Sequence, residues 1–156
     1  MFFSRLLQRF RFYSPPLPQV SSVTPRGIRN RNPGNLRKST IDWLGEVPGF
    51  DYEFESFDTD EHGLRALAKN LLAYQDLHGL RTIAAIISRY APNTENGTDA
   101  YIAAVSEDMR IPSQQLLNLH DVSTLVALVK AIVRHENGQQ PYSEATIEAG
   151  VNMALA

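Results

Sequence analysis

The stretch from Asp121 to Gly138 restricts the fold more than any other part of the chain. Leu125, Leu128, Val129, Ile132 and Val133 recur at intervals of three and four, which places all five on one stripe of a helix. Asp121 stands where an N-cap belongs, and Gly138 where a left-handed C-cap belongs. A stripe this apolar has to be covered, so the rest of the chain must supply elements that pack on it.

Those elements are legible by the same rule. Asp58 and Glu61 have capping-box spacing ahead of Leu64, Leu67, Ala68, Leu71 and Leu72. Thr82 opens a helix that buries Ile83, Ile86, Ile87 and Tyr90 before Pro92 stops it. Thr98 is placed to cap a third helix, carrying Tyr101, Ile102 and Val105. The segment MRIPSQQLLNL reads as a turn or short helix packed through Leu116, Leu117 and Leu119. Ser143 starts a last helix, with Tyr142 positioned to staple onto Ile147 and Val151 farther along the same face. Residues 26–57 lack any such period and are rich in Gly, Asn and Pro, so they read as ordered loop with one short hairpin holding Trp43, Phe50, Tyr52, Phe54 and Phe57. The expected fold is mainly α: five or six short helices over residues 26–156, with an ordered loop or short hairpin region.

Composition removes several function classes. A balance of 15 Lys+Arg against 17 Asp+Glu lacks the basic excess of a nucleic-acid binder, so no specific nucleic-acid partner is expected. The absence of Cys excludes a disulfide scaffold and a thiol nucleophile. No apolar run approaches the roughly 18 to 20 residues that cross a bilayer. The histidines are too far apart for a ligand cluster, at 16 residues from His62 to His78 and 15 from His120 to His135, so neither metal nor cofactor is expected. There is no GxSxG motif to support a serine nucleophile.

The charge is nevertheless uneven. Residues 1–31 carry six arginines and no acid, whereas residues 42–61 carry eight acids and no base. Residues 1–25 read as a basic arm followed by a Pro-rich tether. Phe3, Leu6, Leu7 and Phe10 have helical spacing, so residues 1–12 suit a weak contact with a membrane surface or a partner; a disordered tail or a start placed too far upstream are the alternatives. Arg interrupts the apolar stretch and no small-residue cleavage site follows, so the segment is not read as a signal peptide.

The candidate chemistry sits at the end of the best helix. Eleven residues beyond Leu125 the apolar stripe lands on Glu136. A carboxylate at an inward phase is costly, and the helix dipole disfavours it there by about 0.3 to 1 kcal/mol. Both effects favour a group that keeps its proton and can donate it, as cleavage of a glycosidic bond requires. Its neighbours His135 and Asn137 can hydrogen-bond a ligand or a loop; the competing reading pairs Glu136 with Arg134 or with a loop arginine.

Other positions are weaker candidates. Glu61 is the rival catalytic acid, although the first turn of a helix favours an ionised carboxylate and a capping role. The stretch RNRNPGNLR gathers Asn30, Asn32 and Asn35 around a Pro33-Gly34 turn, where amides either bind sugar hydroxyls and acetamido groups or hold the turn. Trp43 and Tyr52 suit either sugar stacking or the core. Glu95 and Asn96, between Pro92 and Thr98, read as cleft wall or ordinary loop.

The succession RGIRNRNPGNLR, W-L-G-E, F-E-S-F-x-x-x-E-H-G-L-R-A-L, R-Y-A-P-x-x-E-N-x-T-x-x-Y-I and A-I-V-R-H-E-N-G-x-x-P-Y, over roughly residues 26–150, resembles a family of phage and prophage virion structural proteins, some described as internal virion proteins with an endolysin or lytic transglycosylase domain. More remotely, NPGNLR with the downstream Trp-Leu-Gly is similar to the core of lysozyme-like glucosaminidases, with the acid-bearing helix after this block instead of before it, as in a circular permutation. The resemblance implies a lysozyme-like fold, Glu136 as the acid, Asn32 and Asn35 on the loop facing it, and Tyr90 and Asn96 on the cleft walls. It implies a peptidoglycan-cleaving glycosidase, muramidase or lytic transglycosylase, acting on glycan strands from the virion or in the bacterial cell envelope. If water attacks the sugar, a second carboxylate such as Glu46 or Glu61 is needed. The rival expectation is a non-catalytic virion or adaptor protein that keeps the packing and binds other virion proteins.

Overall fold

The computed structural model describes residues 23–92 and 97–156. The expectations for residues 1–12, Glu95 and Asn96 lie outside these. Among the described residues six helices follow one another: α1 (Arg26–Arg29), α2 (Asp60–His78), α3 (Ile83–Tyr90), α4 (Gly97–Met109), α5 (Val122–Asn137) and α6 (Glu144–Leu155). The domain is mainly α-helical, and the described residues contain no β-sheet. None of the helices among them is long and apolar enough to cross a membrane.

The stripe of α5 forms the centre. Leu125, Leu128, Val129, Ile132 and Val133 are all buried, and α2, α3, α4 and α6 contribute Leu64, Leu71, Ile86, Tyr101 and Ile147 to the same core. Asp121 caps α5 by accepting from the Thr124 amide, and Gly138 ends it in the left-handed region. Ser143 caps α6 in the same way and Thr82 caps α3.

Local details differ from the reading of the sequence. Thr59, not Asp58, caps α2 by accepting from the His62 amide, while Asp58 meets the His62 ring at 2.5 Å. The cap is therefore one residue later than expected and the reciprocal half of the box is not among the described hydrogen bonds, because the threonine hydroxyl reaches the N3 amide while the N3 side chain, His62, pairs with Asp58. Thr98 lies within the first turn of α4, and its hydroxyl donates to the Ala91 carbonyl. Leu116 is exposed; Leu117 and Leu119 carry the packing of that segment. The expected hairpin is reduced to two isolated antiparallel bridges, Arg37 with Phe54 and Glu46 with Phe57.

The short helix α1 has no periodic signal and is held from outside. Arg26 grips Asp51 through two hydrogen bonds of 2.5 and 2.7 Å, and its guanidinium lies 4.4 Å from the centre of the Phe54 ring. The Arg37 guanidinium lies 4.9 Å from the same ring. The Arg26 partner, with Asn30 and the amides of Glu53 and Phe54, holds the Asp51 carboxyl well below its usual range.

The loop region meets the helices through α2. Leu36, Phe57 and Ala66 form a small buried cluster with Trp43 and Tyr90 against it. At Gly63 the backbones come so close that a Cβ would lie 1.8 Å from the Arg31 carbonyl oxygen, an atom that cannot swing aside. Gly63→Ala is therefore expected to cost about 3 kcal/mol, the upper part of the usual overpacking range. Ser88→Ala on the exposed face of α3 should stay within about 0.5 kcal/mol. Urea unfolding of the two variants measures the difference.

Candidate functional site

The end of α5 and the Asn-rich loop are tied together. Glu136 is half-buried, and both of its carboxylate oxygens accept hydrogen bonds: Oε2 from Asn35 Nδ2 at 2.9 Å, Oε1 from the Tyr101 hydroxyl at 3.0 Å. One residue on, the buried Asn137 donates to the Pro33 carbonyl at 2.8 Å and to Val133 of its own helix at 2.9 Å. Tyr90 donates from the end of α3 to the Gly34 carbonyl. Two helices, α5 and α3, thus bond the loop, α4 reaches it through Glu136, and Glu136 sits at the junction.

The pairing with an arginine is not what Glu136 adopts. Arg134 turns to Asp108 at 3.5 Å, and no ion pair reaches Glu136 among the described residues. Burial raises the pKa of Tyr101 and Tyr90 well above that of a free tyrosine, and the neighbouring Glu136 charge adds to both shifts. Each hydroxyl is therefore a permanent donor. His135 is exposed on one side, and its ring stands edge-on to Tyr101 with centroids 3.7 Å apart; loss of solvent there lowers its pKa.

The remaining candidates separate by geometry. Asn32 is fully buried: its amide donates to the Leu36 and Glu55 carbonyls and accepts from the Leu36 amide, which leaves it no group for a ligand and makes it the pin of the loop. Trp43 lies half-buried against Leu36 and Phe57, with a buried Nε1 that has no partner. Tyr52 stands in solvent, and Asn30 is committed to Asp51. Glu61 occupies the first turn of α2 on the side crossing α6, where its carbonyl would lie 3.0 Å from a Cβ on Gly150. No described hydrogen bond or ion pair joins it to Glu136.

Tyr101 was legible only as a core residue. Its hydroxyl was the available signal, since a buried tyrosine needs a polar partner. Two further oxygens are informative: Asn35 Oδ1 and Asn137 Oδ1 are buried without a donor, and both lie 2.6 Å from the position a Cβ on Gly27 would take. Glu55, also unforeseen, is 1% exposed on the opposite side of the loop and accepts from the Ser39 amide at 3.0 Å. Burial is the largest influence on its carboxyl and pushes it above the ordinary 4.5; the Ser39 bond opposes this, and nearby Glu46 reinforces it.

The comparisons with known proteins agree with the phage character of the motifs. No family model matches the chain. It is 40% identical over 137 residues to Protein P5 of Pseudoalteromonas phage PM2, covering 85% of this chain and 84% of that protein. The chain belongs to the family of this phage protein.

Two predictions follow from the division of roles. Asn32→Ala strands the Leu36 amide and the Glu55 carbonyl, the Leu36 carbonyl keeping the Glu55 amide, and is expected to cost about 3 kcal/mol, whereas Asn35→Ala gives up one hydrogen bond and should cost about 1 kcal/mol; chemical denaturation separates them. For Glu55, the folded state holds its proton more tightly than the unfolded chain, so this group weakens the fold as pH rises through 4.5 toward its folded value. Glu55→Gln is expected to be more stable than the parent at pH 7, with the gain vanishing at low pH where both forms are neutral. Thermal melts across this interval give the sign directly.

Proposed function

We propose that the protein is a peptidoglycan-cleaving glycosidase of lysozyme-like type, acting on the β-1,4 bonds between aminosugars, with Glu136 as the proton-transferring group. The observation that carries this reading is a half-buried carboxylate with no ion pair, held at both oxygens by neutral donors at the meeting of a helix end and an Asn-rich loop. Neutral partners fix its orientation without consuming its charge, and its partial exposure leaves a path for a ligand.

The Asn35 amide gives the proton a place. With this amide turned by half a rotation, its donor-free oxygen takes the position of Nδ2, beside Glu136 Oε2. A protonated Glu136 then donates to Asn35, whose orphan acceptor is satisfied. In this form Glu136 protonates the bridging oxygen as the glycosidic bond breaks, and positive character develops at the ring carbon. A hydroxyl of the same sugar attacks that carbon and returns its proton to Glu136. One carboxylate serves as acid and then as base, and an anhydro sugar results. This route needs no second carboxylate, whereas water attack needs one across the sugar from Glu136.

A second reading is a non-catalytic virion component that keeps this packing to bind other virion proteins; the kinship with a phage protein favours it. Digestion of purified peptidoglycan, with mass analysis of the products, decides between them. The catalytic reading expects anhydro-muropeptides and a loss of about 10³-fold in rate for Glu136→Gln with the fold intact. Intact glycan after prolonged incubation with the parent protein, or an unchanged rate for the variant, would overturn it.

A further inference from the structure

A second polar feature lies on the other face of the same loop. Arg29, Arg31, Pro48, Phe50, Ser56 and Phe57 line a pocket of about 410 Å³. The Arg29 guanidinium makes no hydrogen bond or ion pair with any described residue, the backbone amide alone being bonded, to the Pro25 carbonyl. The Arg31 guanidinium donates only to the Asp58 carbonyl among the described residues, so neither guanidinium has a carboxylate partner there. Asp51 also borders the pocket, but its charge is met by Arg26 and Asn30 and by the amides of Glu53 and Phe54. Two guanidiniums without a carboxylate partner therefore line a pocket whose remaining wall comes from the acidic stretch 42–61.

The rest of the lining has matching chemistry. Phe50 is fully exposed at the edge and presents a bare aromatic face. Ser56 is largely buried, and its hydroxyl bonds no other group among the described residues. Above it a Cβ on Gly49 would lie 2.1 Å from Ser56 Oγ, so any larger residue there would cover the hydroxyl. Arg31 is held at φ 51, a left-handed conformation that a long side chain adopts at a cost.

We propose that this pocket is a subsite for an amino sugar bearing one carboxylate. The two guanidiniums take the carboxylate, Ser56 Oγ takes a ring hydroxyl, and the apolar face of the sugar lies on Phe50. The eight acids of residues 42–61 repel a densely charged polyanion, which restricts the ligand to sparse negative charge. The proposal rests on the glycan-cleaving reading for its biological setting, but it concerns binding alone.

The test uses the full chain carrying Glu136→Gln and two probes, N-acetylmuramic acid and N-acetylglucosamine, which differ by the lactyl carboxylate. Titration followed by amide NMR shifts is expected to give about tenfold tighter binding of the acidic sugar, with shifts centred on Phe50 and Ser56. Arg29→Ala with Arg31→Ala should abolish the preference. Phe50→Ala, at a position too exposed to support the fold, should weaken both probes. Equal affinity for the two sugars, or a preference that survives loss of both arginines, would sink the proposal. The two readings fail separately: an arginine-dependent preference in a protein whose parent cleaves no glycan upholds the pocket and removes the activity, whereas cleavage without the preference does the reverse.

Discussion

The structure depends on the way the last turn of α5 holds the loop that contains Asn32 and Asn35. Loops of this polarity stay open unless their backbone groups find partners. Here Asn137 takes the Pro33 carbonyl, Tyr90 takes the Gly34 carbonyl, and Asn32 closes the turn from within. Each donor comes from a different element, so the loop cannot shift without breaking contacts to more than one. The carboxylate of Glu136 is placed by this arrangement, because its partner Asn35 belongs to the loop and its partner Tyr101 to α4.

The same loop separates two environments. On the α5 side the groups are neutral donors around one carboxylate, with buried tyrosines that keep their protons. On the other side, Arg26 and Asp51 fasten α1 to the ribbon, and Arg29 and Arg31 are left without acidic partners. Glu55 lies buried on that ribbon, where a carboxyl weakens the fold at neutral pH, yet its backbone is gripped by Asn32. Stability and candidate chemistry are thus drawn from adjacent residues of a single stretch, with Asn32 serving the first and Asn35 the second.

Membership in a phage protein family sets the biological frame without specifying a reaction. The reaction is argued from the site: a carboxylate with neutral partners, an adjoining Asn35 amide that can follow its proton, and a partly exposed position. A fold of this kind supports either catalysis or passive binding, since function resides in the site and not in the helical packing.

The helices were legible because periodicity and capping are local. Leu125 to Val133 had to be buried, and Asp121, Thr82 and Ser143 mark helix starts through bonds to residues three positions away. Even Glu136 stood out, as the polar residue continuing an apolar phase. What surrounds it was not legible: the bonds to Asn35 and Tyr101 span 101 and 35 residues, and no local rule carries information over such separations. The roles of Asn32 and Asn35, three residues apart in one motif, likewise diverge only in three dimensions. One side chain turns inward to the loop backbone and the other faces α5, and tertiary packing alone decides which is which.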